Sequence, residues 1–376
     1  MRILVLFDVH RPIDPDETFS VRSLRTEEEK PTEADVLACL RKLGHEVETL
    51  AVYDDVRVVF DKVDAFKPEV VFNLCETFFS DRAHEPNIPA LLELMKVPYT
   101  GAGPDALLLC KDKAVAKKLL AFHRIRVARF VVSSRERPLR RLGRFSYPAF
   151  VKPVGEEASE GIARASFAKN EAEAVERAGY LHERFESDAL IEEYVDGREL
   201  YLGVLGNKRL TVFPPREIFF GAPIAGPDGR DPPPPTVGAS SELSLRSSVR
   251  NDDAPRFATA KAKWDEAYRK KWKIRNGPAG ALAPGLDKKL ADLARRVYRI
   301  LNIRGLGRID MRLTADGEVV VIEANPNPSL AREDDFAQAA AQVGIPYEAL
   351  IQKILENALR WSADRTASGR RAADGD

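Results

Sequence analysis

The stretch GRIDMRLTADGEVVVIEANPNPS, residues 307–329, predicts an antiparallel hairpin that brings two carboxylates together. Its Asp316-Gly317 pair is a strong signal for a two-residue type I′ turn between two arms rich in strand-forming residues. A turn at this place puts Asp310 directly opposite Glu323. Like charges placed opposite each other destabilise a sheet, so we expect a positive group beside them.

The same register fixes the neighbours of the two carboxylates. Arg308 lies opposite Asn325, and because side chains alternate along a strand, both lie on the carboxylate face. The other face is predicted to carry the apolar side chains of Ile309, Met311, Ile322 and Ala324. A turn of odd length would shift this pairing by one residue.

Two kinds of positive group can offset the paired carboxylates. Arg308 alone can do so as part of a salt-bridged surface. Mg²⁺ does so better, because it binds one or two carboxylates together with phosphate oxygens of a substrate. Asn325 would add a neutral oxygen ligand, and Arg308 would then stabilise negative charge that develops beside the metal.

The composition limits the class of protein. A chain of 376 residues with 44% hydrophobic and 31% charged residues predicts a globular protein of two or three domains. The 58 basic residues equal the 58 acidic residues, which argues against a nucleic-acid partner. The apolar runs are too short for a membrane span, so we predict a cytoplasmic protein. Cys39, Cys75 and Cys110 are too few and too widely spaced for a disulfide framework or a cysteine-based zinc site.

Residues 1–105 alternate short apolar strands with helical segments. RILVLFDV, EVETLAV and EVVFNLC are predicted strands, and EADVLACLRKLG is a predicted helix. This rhythm predicts a parallel sheet. Neither GxGxxG after the first strand nor GxxxxGK[ST] is present, so a dinucleotide fingerprint and a P-loop are both excluded.

The order of several motifs favours a phosphorylated ligand. Lys113 begins a helix that Asp112 can cap, and Lys152 ends a strand in FVKP. The loop GEEASEG, bounded by Gly155 and Gly161, can lay backbone N–H groups over phosphates. A single lysine is more often a solvated charge, so the inference rests on the succession of these motifs before the carboxylate hairpin.

Two segments lack periodic structure. Residues 220–256 are rich in Pro, Gly, Ser and Asp, which predicts a long loop that can act as a lid. Residues 363–376 are polar and free of aromatic side chains, which predicts a disordered tail.

From MRILVLF to LIQKILENAL the chain resembles the ATP-grasp superfamily, and within it the D-alanine–D-alanine ligase-like branch. The most specific pieces are NIPALLELMKVPYTGAG, DKAVAKKLL, YPAFVKP, ALIEEYVDGREL and the hairpin above. The resemblance implies an α/β fold with an N-terminal parallel domain at 1–105. A central subdomain at 106–198 and a C-terminal α+β subdomain at 199–362 would clamp ATP between antiparallel sheets.

The resemblance also implies the residues of the site. Contacts to ATP are expected from Lys113, Lys152, Glu192, Glu193, Val195, Glu199 and Lys263. One or two Mg²⁺ ions would be held by Asp310, Glu323 and Asn325. Catalytic roles would fall to Arg308 and Ser159, and substrate contacts to Glu76 and Asp334.

The implied reaction joins a small carboxylate to an amine. The carboxylate attacks the γ-phosphoryl group of ATP to give an acyl phosphate and ADP, and the amine then displaces phosphate to form an amide. Positioning and charge neutralisation supply most of the catalysis in such a reaction. Similar ligases are often homodimers, which leaves a homodimer open here, although nothing in the sequence displays an interface.

Three departures from the D-alanine–D-alanine ligase pattern bear on the substrate. Ala158 replaces a flap serine, Trp264 replaces a lid tyrosine, and Asp334 lies about where such ligases have a serine for the acceptor's carboxylate. An acid at that place repels a free carboxylate, so we predict an acceptor other than D-alanine. The alternatives are a genuine D-alanine–D-alanine ligase of cell-wall synthesis and an ATP-binding regulatory module without turnover. Retention of Arg308 beside the carboxylates argues against the module.

Overall fold

The computed structural model describes residues 1–14, 17–155, 161–220, 262 and 265–373. In Arg164 and in residues 364–373 only the backbone is described. These residues form three sheets, one parallel and two antiparallel, covered by helices. The predicted combination of an α/β domain with antiparallel clamp sheets is confirmed.

The first sheet is parallel and has the strand order β2-β1-β3. Its strands are β1 (Arg2–Asp8), β2 (Glu46–Val52) and β3 (Val70–Asn73). The helices of this part are α1 (Val21–Thr26), α2 (Pro31–Lys42) and α3 (Arg57–Phe66). Five consecutive side chains of β1, Ile3 to Phe7, are fully buried, as expected of a parallel strand covered on both faces.

Three helices lead from the first sheet to the second. They are α4 (Asn87–Leu94), α5 (Pro104–Lys111) and α6 (Lys113–Phe122). Asp112 caps α6, because its carboxylate accepts hydrogen bonds from the N–H groups of Ala114 at 2.9 Å and Val115 at 2.8 Å. The predicted helix start at this residue is therefore confirmed.

The second sheet is antiparallel and has the strand order β4-β7-β5-β6. Its elements are β4 (Phe130–Ser133), β5 (Ala149–Pro153), β6 (Phe167–Ala168), α7 (Glu171–Arg184) and β7 (Ala189–Glu193). The apolar stripe of α7, with Ala174, Ala178 and Leu181, packs on Val151 and Ile191 of the sheet. β5 and β6 flank the predicted flap, whose residues 156–160 lie outside the described chain.

The third sheet has the order β11-β10-β8-β12-β13, with β9 paired to β8. Its strands are β8 (Arg198–Leu205), β9 (Thr211–Val212), β10 (Arg216–Phe219), β11 (Arg275–Pro278), β12 (Leu306–Leu313) and β13 (Val319–Asn325). Helices α8 (Glu266–Lys271), α9 (Leu286–Ile300) and α10 (Asp335–Gln342) accompany it. Leu290, Ala294 and Val297 of α9 share a core with Ile309 and Met311. Of the predicted lid at 220–256, only Phe220 lies within the described residues.

The turn of the β12–β13 hairpin differs from the prediction. Thr314 N–H donates to the Glu318 carbonyl at 2.9 Å, and Gly317 N–H donates to the Thr314 carbonyl at 3.0 Å. The loop therefore has three residues, with only Gly317 at positive φ (81°). A type I′ turn needs positive φ at both central residues. The predicted two-residue turn is wrong, because Asp316 keeps a negative φ and the glycine takes the left-handed position of a G1-type bulge.

A bulge further along the hairpin restores the predicted pairing. Met311 pairs with Val321, whereas Asp310 pairs with Glu323, so Ile322 is an extra residue in β13. The odd-length loop shifts the register by one residue and the bulge shifts it back. Asp310 therefore lies opposite Glu323, as predicted. Ile322 does not join the core face as predicted but lines a cavity with the two carboxylates.

The last helix returns to the first sheet. α11 (Tyr347–Ala373) contacts α2 and β3, and its residues Leu350, Ile351 and Ile354 share a core with β1. Residues 363–373, for which the sequence predicts disorder, are helical instead. Alanine and arginine favour helix, and an existing helix propagates by one hydrogen bond per residue.

The cysteine side chains and the helix lengths bear on two predictions, about disulfides and about membrane spans. Cys39, Cys75 and Cys110 are buried, and none of the three forms a disulfide within the described residues. Within the described residues, no helix is both long and apolar enough to cross a membrane.

Candidate active site

A cavity between the second and third sheets gathers most of the predicted nucleotide and metal residues, although Asn325 is not among its described lining residues. Its charged lining comprises Lys152, Glu192, Glu193, Glu199, Asp310, Arg312 and Glu323. Its apolar lining comprises Ala128, Phe150, Ile162, Val195 and Ile322. The predicted adenine strand β7 and the predicted metal hairpin β12–β13 thus face one space.

Two lysines share the buried carboxylate of Glu192. Lys152 Nζ lies 2.8 Å from Oε1, and Lys117 Nζ lies 2.9 Å from Oε2. The second contact is an ion pair without directed hydrogen-bond geometry. All three side chains are at most 5% exposed. One carboxylate therefore contacts two ammonium groups, so this trio is positive on its own, while the cavity lining beside it carries more carboxylates than cations.

Burial and ion pairing set the protonation of this trio. Burial alone would raise the pKa of Glu192, but the two ammonium groups outweigh it and hold the pKa below its ordinary value. Burial lowers the pKa of Lys117 despite the attraction of Glu192. Burial also acts to lower the pKa of Lys152, but Glu192 and Glu323 reverse the effect and raise it. Lys152 is thus held as a cation that faces the cavity.

The carboxylate of Glu199, which lines the cavity, accepts hydrogen bonds from two side chains. Tyr201 Oη–H donates to Glu199 Oε1 at 2.7 Å, and Arg312 Nη2 donates to Glu199 Oε2 at 2.6 Å. Arg312 also donates to the Gly197 carbonyl at 2.9 Å. Burial would lower the pKa of Arg312, but the Glu199 carboxylate raises it. Both oxygens of Glu199 therefore have fixed positions.

The Arg308 guanidinium donates two hydrogen bonds to the Asp310 carboxylate. Nε donates to Oδ1 at 2.8 Å and Nη2 donates to Oδ2 at 2.9 Å. Asn325 Nδ2 also donates to Asp310 Oδ2, at 3.2 Å. Burial acts to lower the pKa of Arg308, but the Asp310 carboxylate outweighs burial, so the pKa of Arg308 is raised above its ordinary value. The salt bridge that the sequence left open as an alternative to a metal is present at Asp310.

The donor set at the hairpin fits a magnesium ion. In the part of the chain that the structure describes, no group of three or more His, Cys, Asp or Glu side chains is arranged to hold a metal. Asp310, Glu323 and Asn325 bring two carboxylates and one amide together in register. Mg²⁺ commonly takes one or two carboxylates and completes its shell with phosphate and water oxygens. The residues present therefore suit Mg²⁺ together with a phosphorylated ligand.

Of three further predicted residues, the structure describes only Lys113. Lys113 is buried at the start of α6, where its N–H donates to the Val154 carbonyl at 3.4 Å, and it does not line the cavity as far as the structure describes it. Ser159 and Lys263 lie outside the described residues.

A second cavity, of about 390 Å³, contains one of the predicted substrate residues. Glu76 lines it at the carboxyl end of β3, where its N–H donates to Asp8 Oδ1 at 2.8 Å. Ser329, after β13, lines the same cavity, and its hydroxyl donates to Asp334. Burial raises the pKa of Asp334, while the Ser329 hydroxyl and the positive charge of Arg308 act to lower it. Asp334 thus lies within the electrostatic reach of Arg308.

A family model described as "D-ala D-ala ligase C-terminus" matches residues 113–224 and 259–356, more than half of the chain. The D-alanine–D-alanine ligase of Haemophilus influenzae is 30% identical over 72% of this chain and 77% of its own length. The chain belongs to the D-alanine–D-alanine ligase family. It is therefore an ATP-grasp ligase that forms C–N bonds between a carboxylate and an amine.

A further relative and a solved structure are also similar to this ligase. An uncharacterised protein, y4sG, of Sinorhizobium fredii is 28% identical over 86% of both chains. Among solved structures, the D-alanine–D-alanine ligase of Bacillus anthracis complexed with ATP superposes with a TM-score of 0.68. That match covers 97% of this ligase and 99% of the other chain at 18% identity, so it shows a shared fold.

The sequence reasoning missed three residues of the ligase's cavity region. Lys117 follows Lys113 by four residues, so both lie on one helix face, and this spacing was an available signal. Arg312 continues the alternation of Arg308 and Asp310 along β12, which was a second signal. Tyr201 follows Glu199 by two residues on β8, so the two side chains share a face of the strand. Only the pairing of β8 with β12 brings Tyr201 next to the metal hairpin.

Proposed function

We propose that this ligase uses ATP and Mg²⁺ to join a small carboxylate to an amine other than D-alanine, through an acyl phosphate. One observation carries the proposal. Asp310 and Glu323 lie in register on the same cavity as Lys152 and Glu192. A cation at the carboxylate pair and a phosphate chain toward the lysine would neutralise one another.

The residues of this chain would contribute to catalysis mainly by binding and orienting ATP. Lys152, with its charge maintained by Glu192, would bind phosphate oxygens. The backbone of Glu193 at the end of β7 and of Val195 just after it would meet the base, and Glu199 would lie near the ribose. Lys113 at the start of α6 and Lys263 are proposed to complete the phosphate contacts, and Ser159 of the flap is proposed to act in catalysis.

Asp310, Glu323 and Asn325 would hold the metal. Mg²⁺ bound there supplies charge neutralisation for the phosphoryl group that is transferred. Arg308 lies on the same face and is held by Asp310, so its guanidinium would stabilise charge on the phosphoryl group and on the tetrahedral intermediate. The acyl carbon then bonds to the amine nitrogen, and phosphate leaves with the bonding electron pair.

The acceptor is inferred from Asp334 and from the second cavity. Asp334 accepts a hydrogen bond from Ser329, and Ser329 lines this cavity together with Glu76. An acid in the place of a carboxylate-binding serine repels the carboxylate of D-alanine. A cationic amine, or an amino acid bound in another orientation, suits this charge.

The test is ADP release with Mg²⁺ and ATP across a panel of amino acids and amines, with Asp310→Asn and Glu323→Gln in parallel. We expect turnover that needs a particular acid–amine pair and that falls by about 100-fold or more in both variants. Binding of ATP without turnover on any pair would contradict the proposal. It would favour a binding module.

A second candidate is a genuine D-alanine–D-alanine ligase, which the names of the Haemophilus influenzae relative and of similar relatives favour. The panel decides between the two, because that candidate requires D-alanine alone to support full turnover.

A further inference from the structure

Tyr201 contacts residues beside the cavity described above, Glu199 and Arg308, but is not among the described residues that line it. The residue is on β8 between β10 and β12, opposite Arg216 on one side and Asp310 on the other. Its side chain is 4% exposed, and it is absent from the residues that line the cavity in the described chain. A role for Tyr201 must therefore act through its neighbours.

One neighbour is Glu199, at the nucleotide end. The Tyr201 hydroxyl donates to Glu199 Oε1 at 2.7 Å, while Arg312 holds the other oxygen. Burial and the adjacent Glu199 raise the pKa of Tyr201 well above its ordinary value, so the hydroxyl keeps its proton and stays a donor.

The other neighbour is Arg308, at the metal end. Its guanidinium carbon lies 4.9 Å from the centre of the Tyr201 ring. A cation over a buried aromatic face is attracted by the ring's quadrupole. Arg308 is thus held from two sides, by the ring below it and by the two hydrogen bonds to Asp310.

We propose that Tyr201 is a positioning residue that holds Glu199 through its hydroxyl and Arg308 through its ring. It would set the two ends of the ATP site relative to each other. The hydroxyl and the ring make separable contributions, because each contacts a different partner. This inference rests on the proposed function to the extent that Glu199 meets the ribose and Arg308 meets the reacting phosphoryl group.

Two variants separate the contributions. Tyr201→Phe keeps the ring under Arg308 and removes the hydrogen bond to Glu199. Tyr201→Leu removes both. Tyr298→Phe is the matched control, since Tyr298 is a buried tyrosine on α9 that packs against the third sheet, and its hydroxyl donates to the Gly206 carbonyl at 2.8 Å.

The readout is the dissociation constant of each variant for ATP and for ADP with Mg²⁺, measured by titration calorimetry without acid or amine. Tyr201→Phe should weaken both nucleotides by about three- to tenfold and leave their ratio unchanged, because the ribose is common to both. Tyr201→Leu should in addition reduce the preference for ATP over ADP by about tenfold, because a displaced arginine no longer meets the terminal phosphate. Tyr298→Phe should change neither constant.

The inference is overturned if Tyr201→Phe binds both nucleotides as the parent does, or if Tyr201→Leu keeps the parent's ratio. It is also overturned if all three variants lose affinity in parallel with their melting temperature, as a merely structural tyrosine would. These constants need no turnover, so they decide the role of Tyr201 even if no acid–amine pair releases ADP.

Discussion

Asp310 lies opposite Glu323 because two one-residue shifts in the same hairpin cancel. The three-residue loop that ends at Gly317 displaces β13 by one position, and the extra residue Ile322 displaces it back. The bulge also turns Ile322 from the core toward the cavity. Bulges often re-aim side chains beside functional sites. Here the bulge aligns both carboxylates and adds an apolar wall next to them.

The two carboxylates should differ in their effect on stability without metal. Asp310 anchors Arg308 through two hydrogen bonds, so Asp310→Asn leaves a partly buried guanidinium with a weaker partner. We expect Asp310→Asn to cost about 1–3 kcal/mol more unfolding free energy than Glu323→Gln. Urea unfolding with a chelator present measures the difference. Equal losses in the two variants would show that Arg308 does not depend on Asp310.

Glu192 should be a large contributor to stability. Glu192→Gln leaves the ammonium groups of Lys117 and Lys152 buried together without the carboxylate that contacts both of them. Breaking a buried pair typically costs about 3–5 kcal/mol. Lys117→Met combined with Glu192→Gln removes one of the two charges and should recover part of the loss. A double variant less stable than Glu192→Gln alone would contradict the shared-carboxylate arrangement.

The same carboxylate should produce an acid-sensitive component of stability. The pKa of Glu192 is lowered from 4.5 in the folded protein. Its contribution is therefore fully present above pH 4.5 and is lost as the pH falls through the folded pKa. The unfolding free energy of the parent should fall more steeply on acidification than that of Glu192→Gln. Urea titrations from neutral pH down to about pH 3 measure both slopes, and parallel curves would refute the assignment.

Asp334 should exclude D-alanine as the acceptor. Asp334→Ser replaces an acid by another good helix N-cap residue directly before α10, so the fold should tolerate it. We expect the variant to form D-alanyl-D-alanine at least about tenfold faster than the parent, because a like-charge contact is removed. Chromatography of the product measures the rate, with Glu333→Gln, next to it in the chain, as the control. An unchanged rate would show that Asp334 does not face the acceptor.

Local patterns predicted most elements of the fold. The cap at Asp112, the helix in EADVLACLRKLG and the parallel strands all follow from patterns over a few residues. The turn type was wrong because Asp-Gly also suits a three-residue loop, in which only the glycine needs positive φ. The bulge at Ile322 leaves no signature in an apolar run, since VVVIEA fits either register.

Parts of the site depend on contacts that no local pattern contains. The attraction of Lys117 to Glu192 joins α6 to β7, and the stacking of Arg308 on Tyr201 joins β12 to β8. Such pairs become visible only when the sheet order is known. The helical continuation to Ala373 was missed for a different reason, since composition alone does not reveal that a preceding helix is anchored on the first sheet.

The central claim is that a carboxylate of the substrate attacks ATP at the Asp310–Glu323 site. The most direct measurement is the transfer of ¹⁸O from a labelled carboxylic acid substrate to inorganic phosphate, followed by mass spectrometry. The acyl-phosphate route predicts one labelled oxygen in each phosphate released with the amide, and loss of this product in Asp310→Asn. Phosphate that carries oxygen only from ATP and water would contradict the claim.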